Sequence, residues 1–263
     1  MEQLLIFLLT GAAAGVLAGL FGVGGGLIMV PALAWVLPQQ GVSNDVAVHM
    51  AIGTSLAVIA ATSVSSTMSH HRRGGVVWPV FAKFAPGLAA GALIGAYVAD
   101  MLHGGTLKRI IGVGALLVSA QMLLDLKPEA SKPRQAPRGL EVAAAGGVIG
   151  LLSSLIGIGG GSLTVPYLSW RGLSMREAVG TAAAGGMPIA WGGAVGFAIT
   201  GWGHPALPAW SIGYVSLSGF ASLAVASVLT APLGARLAHT MSPRLLKRAF
   251  ALLLAVIGVR MLL

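Results

Sequence analysis

Phe21-Gly-Val-Gly-Gly-Gly-Leu-Ile-Met-Val-Pro31 and Ile156-Gly-Ile-Gly-Gly-Gly-Ser-Leu-Thr-Val-Pro166 decide how this chain reads, because they are one stretch written twice. Each places a glycine cluster inside a long apolar run. No uninterrupted helix would choose that, since glycine costs roughly 1 kcal/mol per residue against alanine. Glycine-interrupted hydrophobic segments at matching positions of two halves are a sequence pointer to a binding site built on broken helices. The alternative, that the glycines only let helices pack closely, suits Gly11/Gly15/Gly19, Gly91/Gly95 and Gly192/Gly196. It does not suit three consecutive glycines with proline five residues on.

Outward from the two stretches the chain is apolar throughout. Of its 263 residues 56% are hydrophobic and 9% charged, against roughly 25% charged in soluble domains. Mean hydropathy is +0.88. The apolar runs are continuous for about 20 residues, which predicts membrane-spanning helices and excludes an outer-membrane barrel. Spans are expected at 46–69, 76–102, 107–126, 177–201, 206–240 and 245–263, with the broken segments at 4–37 and 139–170. The net charge of +9 lies in short clusters between these runs, a topology signal that speaks against nucleic-acid binding. The absence of cysteine excludes disulfides and thiolate chemistry. The first residues lack the basic start of a signal peptide, and the repeat needs them.

The duplication extends beyond the glycines. Ile52-Gly-Thr-Ser-Leu56 matches Val179-Gly-Thr-Ala-Ala183, Leu107-Lys-Arg109 matches Leu246-Lys-Arg248, and Met122-Leu123 matches Met261-Leu262. The chain therefore divides into a first transmembrane repeat, 1–126, a proline-rich basic linker, 127–138, and a second repeat, 139–263. Basic clusters fall at 70–73, 127–138, 171–176 and 244–248, whereas 38–45 and 201–205 carry none. With the basic loops and linker cytoplasmic, corresponding spans point in opposite directions and the repeats are inverted. Each broken segment must then start and finish on one face, as a hairpin. The fold expected is an all-α integral membrane protein of two inverted repeats, each a glycine-broken helical hairpin plus three transmembrane helices.

A glycine turn that opens a helix presents unpaired backbone N–H groups with the positive end of the helix dipole behind them. Gly24, Gly25 and Gly26 with Gly159, Gly160, Gly161 and Ser162 are thus candidate anion ligands. Thr54, Ser55 and Thr181 are hydroxyls at comparable depth, although such groups commonly bond to their own helix. His49 is a candidate proton or anion contact, or a histidine bonded to backbone. Carboxylates lie only near span ends, so a cation pathway is poorly supplied. No spacing suits a metal, no nucleotide or dinucleotide fingerprint is complete, and no paired catalytic groups suggest an enzyme or a cofactor.

These residues resemble the TauE/SafE sulfite exporter family over nearly the whole chain. The resemblance rests on Gly19-Leu-Phe-Gly-Val-Gly-Gly-Gly26 with Pro31, Ala51-Ile-Gly-Thr-Ser-Leu56, and His71-Arg-Arg-Gly74 with Val76. In the second half it rests on Gly157-Ile-Gly-Gly-Gly-Ser162 with Pro166, Val179-Gly-Thr181 and Gly258-Val-Arg-Met-Leu262. It implies a prokaryotic inner-membrane carrier, in contact with the lipid bilayer, of a small sulfur-containing anion such as sulfite, thiosulfate or an organosulfonate. Alternating access is expected, with an anion channel through the same site as the alternative, and the sequence is compatible with a homo-oligomer. Ala182 stands where the first half has Ser55, so the two halves of the site are chemically unequal.

Overall fold

In each glycine cluster the next-to-last glycine takes a left-handed conformation and caps a helix that begins at the last one. In the computed structural model, which describes residues 8–16, 25–124, 139–240 and 243–263, the chain begins with helix α1 (8–16). Helix α2 (Gly26–Gln39) opens from Gly25 at φ 72°, and α7 (Gly161–Trp170) opens from Gly160 at φ 75°. That conformation costs an L-residue with a side chain roughly 1–2 kcal/mol, and glycine nothing. Pro31 and Pro166 lie inside these helices, and the missing N–H of each frees the carbonyl four residues back, at Leu27 and Ser162. Gly22, Val23 and Gly24 of the first cluster, Gly19, and the linker 127–138 lie outside the described residues.

Helix α6 (Gly139–Ile156) leads into the second break, and α7 returns alongside it. Arg171, which caps α7, donates to Glu141 in the first turn of α6 at 3.1 Å. The two feet of this hairpin are therefore together, with the glycine turn at its far end.

The remaining elements are α3 (Asn44–Arg72), α4 (Trp78–Asp100), α5 (Gly104–Leu123), α8 (Met175–Thr200), α9 (Leu217–Thr240) and α10 (Pro243–Leu262). Among the described residues five helices, α3, α4, α5, α6 and α8, are long and apolar enough to cross a membrane. Helix α3 is central, buried without interruption from Val46 to Leu56, as befits a helix apolar all round. Around it the packing glycines act as expected. Gly91 and Gly95 of α4 lie against the backbone of α6, Gly192 of α8 against Ala89, and Gly11 of α1 against Leu223 of α9. Helices α5 and α10 cross at Gly112 and Gly258, where Ser119 Oγ donates to the Ala251 carbonyl at 2.7 Å.

One span is shorter than its hydropathy suggests. The segment expected to run from 206 to 240 forms a two-rung antiparallel hairpin, β1 (Ser211–Ile212) with β2 (Val215–Ser216), and turns helical only at Leu217. Pro205 and Pro208 are poor inside a helix and Gly213 takes φ 52°, so turn chemistry overrides the apolar Leu207, Trp210 and Ile212.

Candidate functional site

The two glycine tips meet. A Cβ placed on Gly26 would strike the Gly157 carbonyl oxygen and come 2.8 Å from Ile59 Cδ1 and 3.2 Å from Ile158 Cα. Ile59 of α3 also reaches over Gly159, with Cγ2 3.1 Å from a Cβ there. Ser55, fully buried, donates from Oγ to the Gly157 carbonyl at 3.3 Å and ties α3 to the second tip. At the residue matching Ile59, helix α8 has Gly186, set against the Gly159 carbonyl.

The tips differ in what surrounds them. Gly26 is closed in by neighbouring atoms, whereas a Cβ on Gly161 would meet nothing within 4 Å. The first turn of α7 therefore opens onto free space with its leading amides unpaired by the helix. Ser162 Oγ lies at this turn, buried and without a hydrogen-bond partner. Ser153 and Thr164 are each fully buried, and their hydroxyls also lack partners. Both oxygens sit 3.4 Å from the position of a Cβ on Gly160. The matching first-repeat positions of Ser153, Ser162 and Thr164 are Ala18, Leu27 and Met29. Ser153 belongs to no sequence motif, and only its pairing with Ala18 in the first repeat marks it.

Thr54 and Thr181 have backbone partners, and the two partners are counterparts. Thr54 Oγ1 accepts from Ser216 N at 2.9 Å, immediately before α9. Thr181 Oγ1 accepts from Val77 N at 3.0 Å, immediately before α4. The preceding glycines allow the approach, since a Cβ on Gly53 would come 2.8 Å from the Tyr214 carbonyl and one on Gly180 would strike that of Gly75. One turn earlier in each helix, a basic side chain meets the same loop. His49 stacks on Tyr214 with centroids 5.1 Å apart, and Arg176 donates to the Arg73 carbonyl. So α3 of the first repeat holds the loop before α9 of the second, and α8 of the second holds the loop before α4 of the first. Each contact has its counterpart with the repeats exchanged.

His49 is 4% exposed and faces carbonyl oxygens on both sides: Asp45 at 3.0 Å from Nδ1, Ala99 at 3.0 Å and Leu102 at 3.1 Å from Nε2. Its contacts tie the start of α3 to the end of α4 rather than to either glycine tip. Tyr214 completes this corner by donating to Asp100 Oδ1 at 2.8 Å. Among the described residues no cluster of His, Asp and Glu could hold a metal ion.

Known proteins bear on this geometry. The chain is 35% identical over 260 residues to a probable membrane transporter protein of Haemophilus influenzae, covering 99% of this chain and 98% of that one. A probable membrane transporter protein of Methanocaldococcus jannaschii is 27% identical over 267 residues, covering 98% and 95%. The probable membrane transporter protein YunE of Bacillus subtilis is 32% identical over 183 residues, covering 62% and 66%. No solved structure matches. The family model described as "Sulfite exporter TauE/SafE" matches residues 7–261, and the chain, a multi-pass membrane protein with a doubled glycine break, belongs to this family of membrane transporters.

Proposed function

We propose that the protein is a secondary carrier in a prokaryotic inner membrane that exports a small sulfur-containing anion, such as sulfite, thiosulfate or an organosulfonate. The observation that carries the reading is the meeting of two glycine turns at one level of the fold, each a left-handed cap opening a helix, one of them onto free space. Helix starts of this kind hold anions through backbone N–H groups and need no buried lysine or arginine. The anion sits at the open tip, against Gly159, Gly160, Gly161 and Ser162, and the tip at Gly25 and Gly26 closes the site from the other repeat. Ser55 fixes the second tip, while Thr54 and Thr181 fix the loops that lead into α9 and α4. His49 serves as a joint between α3 and α4.

The basic loops and linker lie in the cytoplasm, and the repeats are inverted about an axis in the membrane plane. The exchanged contacts of Thr54 and Thr181 suit a two-fold relation of this kind, and rocking about the shared tips would present the site to each face in turn. A negative-inside potential alone favours anion export, by about 2.3 kcal/mol per charge per 100 mV. No coupling ion is needed for that direction.

The test is efflux from proteoliposomes loaded with sulfite, thiosulfate, sulfoacetate, taurine or chloride. Selective, saturable release of one sulfur anion, accelerated by the same anion on the opposite side, supports the carrier. Unitary currents with chloride passing as fast as the rest would instead make the protein an anion channel.

A further inference from the structure

Among the described residues, Ser153, Ser154, Ser162, Thr164, Tyr167, Ser169 and Thr200 bury hydroxyls without a hydrogen-bond partner. Of this set, Ser153, Ser162 and Thr164 lie around the second break with no counterpart hydroxyl in the first repeat. Hydroxyls inside membrane helices ordinarily bond back to the preceding turn. Thr62 does so to the Val58 carbonyl at 3.1 Å, Ser63 to Ala60 at 3.0 Å and Thr230 to Ala226 at 2.8 Å. Ser153, Ser162 and Thr164 do not, although Ser153 and Thr164 are 0% exposed. A buried hydroxyl left without a partner is a standing cost to the fold. Ser153 comes from the end of α6 and Thr164 from the first turn of α7, yet both oxygens lie 3.4 Å from the Cβ position of Gly160, a point that Ile189 Cδ1 of α8 fills. Next along the chain, the Gly161 and Ser162 amides lead the helix without an intrahelical acceptor, and a Cβ on Gly161 would enter open space. The first repeat offers alanine, leucine and methionine in their places.

We propose that Ser153, Ser162 and Thr164, with the leading amides of α7, form an oxyanion-binding subsite that belongs to the second repeat alone. The ligand class is a small anion with several acceptor oxygens on one atom, each oxygen met by a neutral donor. A halide, with no directional acceptors, gains little from such a set. The inference rests on the carrier reading and adds the residues that recognise the anion. Its geometry is that of hydroxyls and amides set around an Ile189 methyl on the second tip, facing an apolar closure from the first.

Ser153→Ala and Thr164→Val remove one hydroxyl each with little change of volume, and Thr164→Ser restores the oxygen. Melting is measured in detergent with sulfite or with chloride at equal ionic strength, and sulfite efflux is measured for KM and kcat separately. Without ligand the variants melt at or above the wild type, because an unpaired buried group has been removed. Sulfite raises the melting temperature of the wild type and of Thr164→Ser but not of the double variant. KM for sulfite rises roughly tenfold per hydroxyl removed, with kcat less affected. Variants that melt below the wild type without ligand have lost an internal partner, and that overturns the subsite. An unchanged KM overturns it too, while leaving the carrier reading standing. If no anion of the panel leaves the liposomes, the carrier reading fails. In that case a sulfite melting shift lost in the double variant still supports the subsite, and no shift in the wild type overturns it.

Discussion

Replacing Thr54 by valine separates a hydrogen bond from packing, because the two side chains have nearly the same shape. Thr54 is fully buried and Ser216, whose N–H it accepts at 2.9 Å, is 4% exposed. In Thr54→Val that N–H is left without an acceptor and out of reach of water, so the cost lies toward the upper end of the ~1–3 kcal/mol of an orphaned buried group. The equivalent change at Thr181 strips the acceptor from Val77 N, which is only half-buried. Water can replace the lost oxygen there, and the cost lies near ~1 kcal/mol. Hydrogen exchange read by mass spectrometry on peptides covering 75–80 and 214–219 reports both. At ~1.4 kcal/mol per tenfold, amide exchange around Ser216 accelerates about a hundredfold in Thr54→Val, and around Val77 about fivefold in Thr181→Val. Thr54→Ser and Thr181→Ser exchange like the wild type. Equal small effects at both sites, or none, would refute the reading that each Gly-Thr pair clamps the loop of the other repeat.

Four other changes test separate parts of the structure. Gly160→Ala puts a side chain at φ 75° and against Ile189, so melting in detergent shows a loss of about 2 kcal/mol or more. Gly161→Ala, one residue on, enters open space at a helical position and gains up to ~1 kcal/mol in the same assay while slowing anion efflux. Burial and then the Asp100 carboxylate hold the Tyr214 phenol above its ordinary value near 10. The unfolded chain therefore loses this proton first, and stability falls as pH rises through 10. Wild-type melting temperature declines from about pH 10 upward, and Tyr214→Phe, followed across the same alkaline range, shows a shallower decline. Glu141→Gln removes the partner of Arg171 at the feet of the α6–α7 hairpin. Both groups are partly exposed, so melting at low salt shows less than ~1 kcal/mol of loss and the difference vanishes at 1 M salt.

The broken helices were legible because they depend on local chemistry. Three consecutive glycines and a proline at fixed spacing leave the backbone few choices, and Gly25 and Gly160 take the same left-handed conformation in both copies. The close-packing glycines were legible for the same reason, since small residues four apart on an apolar helix admit a neighbour. The start of α9 was not. Its hydropathy is continuous through Ile212 and Val215, and only the prolines and Gly213 announce the hairpin. The partners of Thr54 and Thr181 were out of reach altogether, because they lie 162 and 104 residues away in sequence. Depth within a span suggested that both hydroxyls face an open site, whereas the fold gives each a backbone amide.

The duplication explains why the Gly-Thr pairs recur and why the hydroxyls near the second tip do not. A contact made by exchange between two repeats of one sequence needs the same residues in both, because each repeat supplies one side of it. Gly53-Thr54 with Ser216 and Gly180-Thr181 with Val77 obey that rule, as do His49 and Arg176 in position if not in chemistry. A single ligand lying where the copies meet is under no such rule, since it can be held from one side and merely enclosed from the other. The proposed subsite would use that freedom, with Ser153, Ser162 and Thr164 standing where the first repeat has Ala18, Leu27 and Met29. In such a duplicated chain, recurring residues report how the repeats hold each other. Polar residues present in one repeat and absent from the other are the ones to examine for what the protein binds.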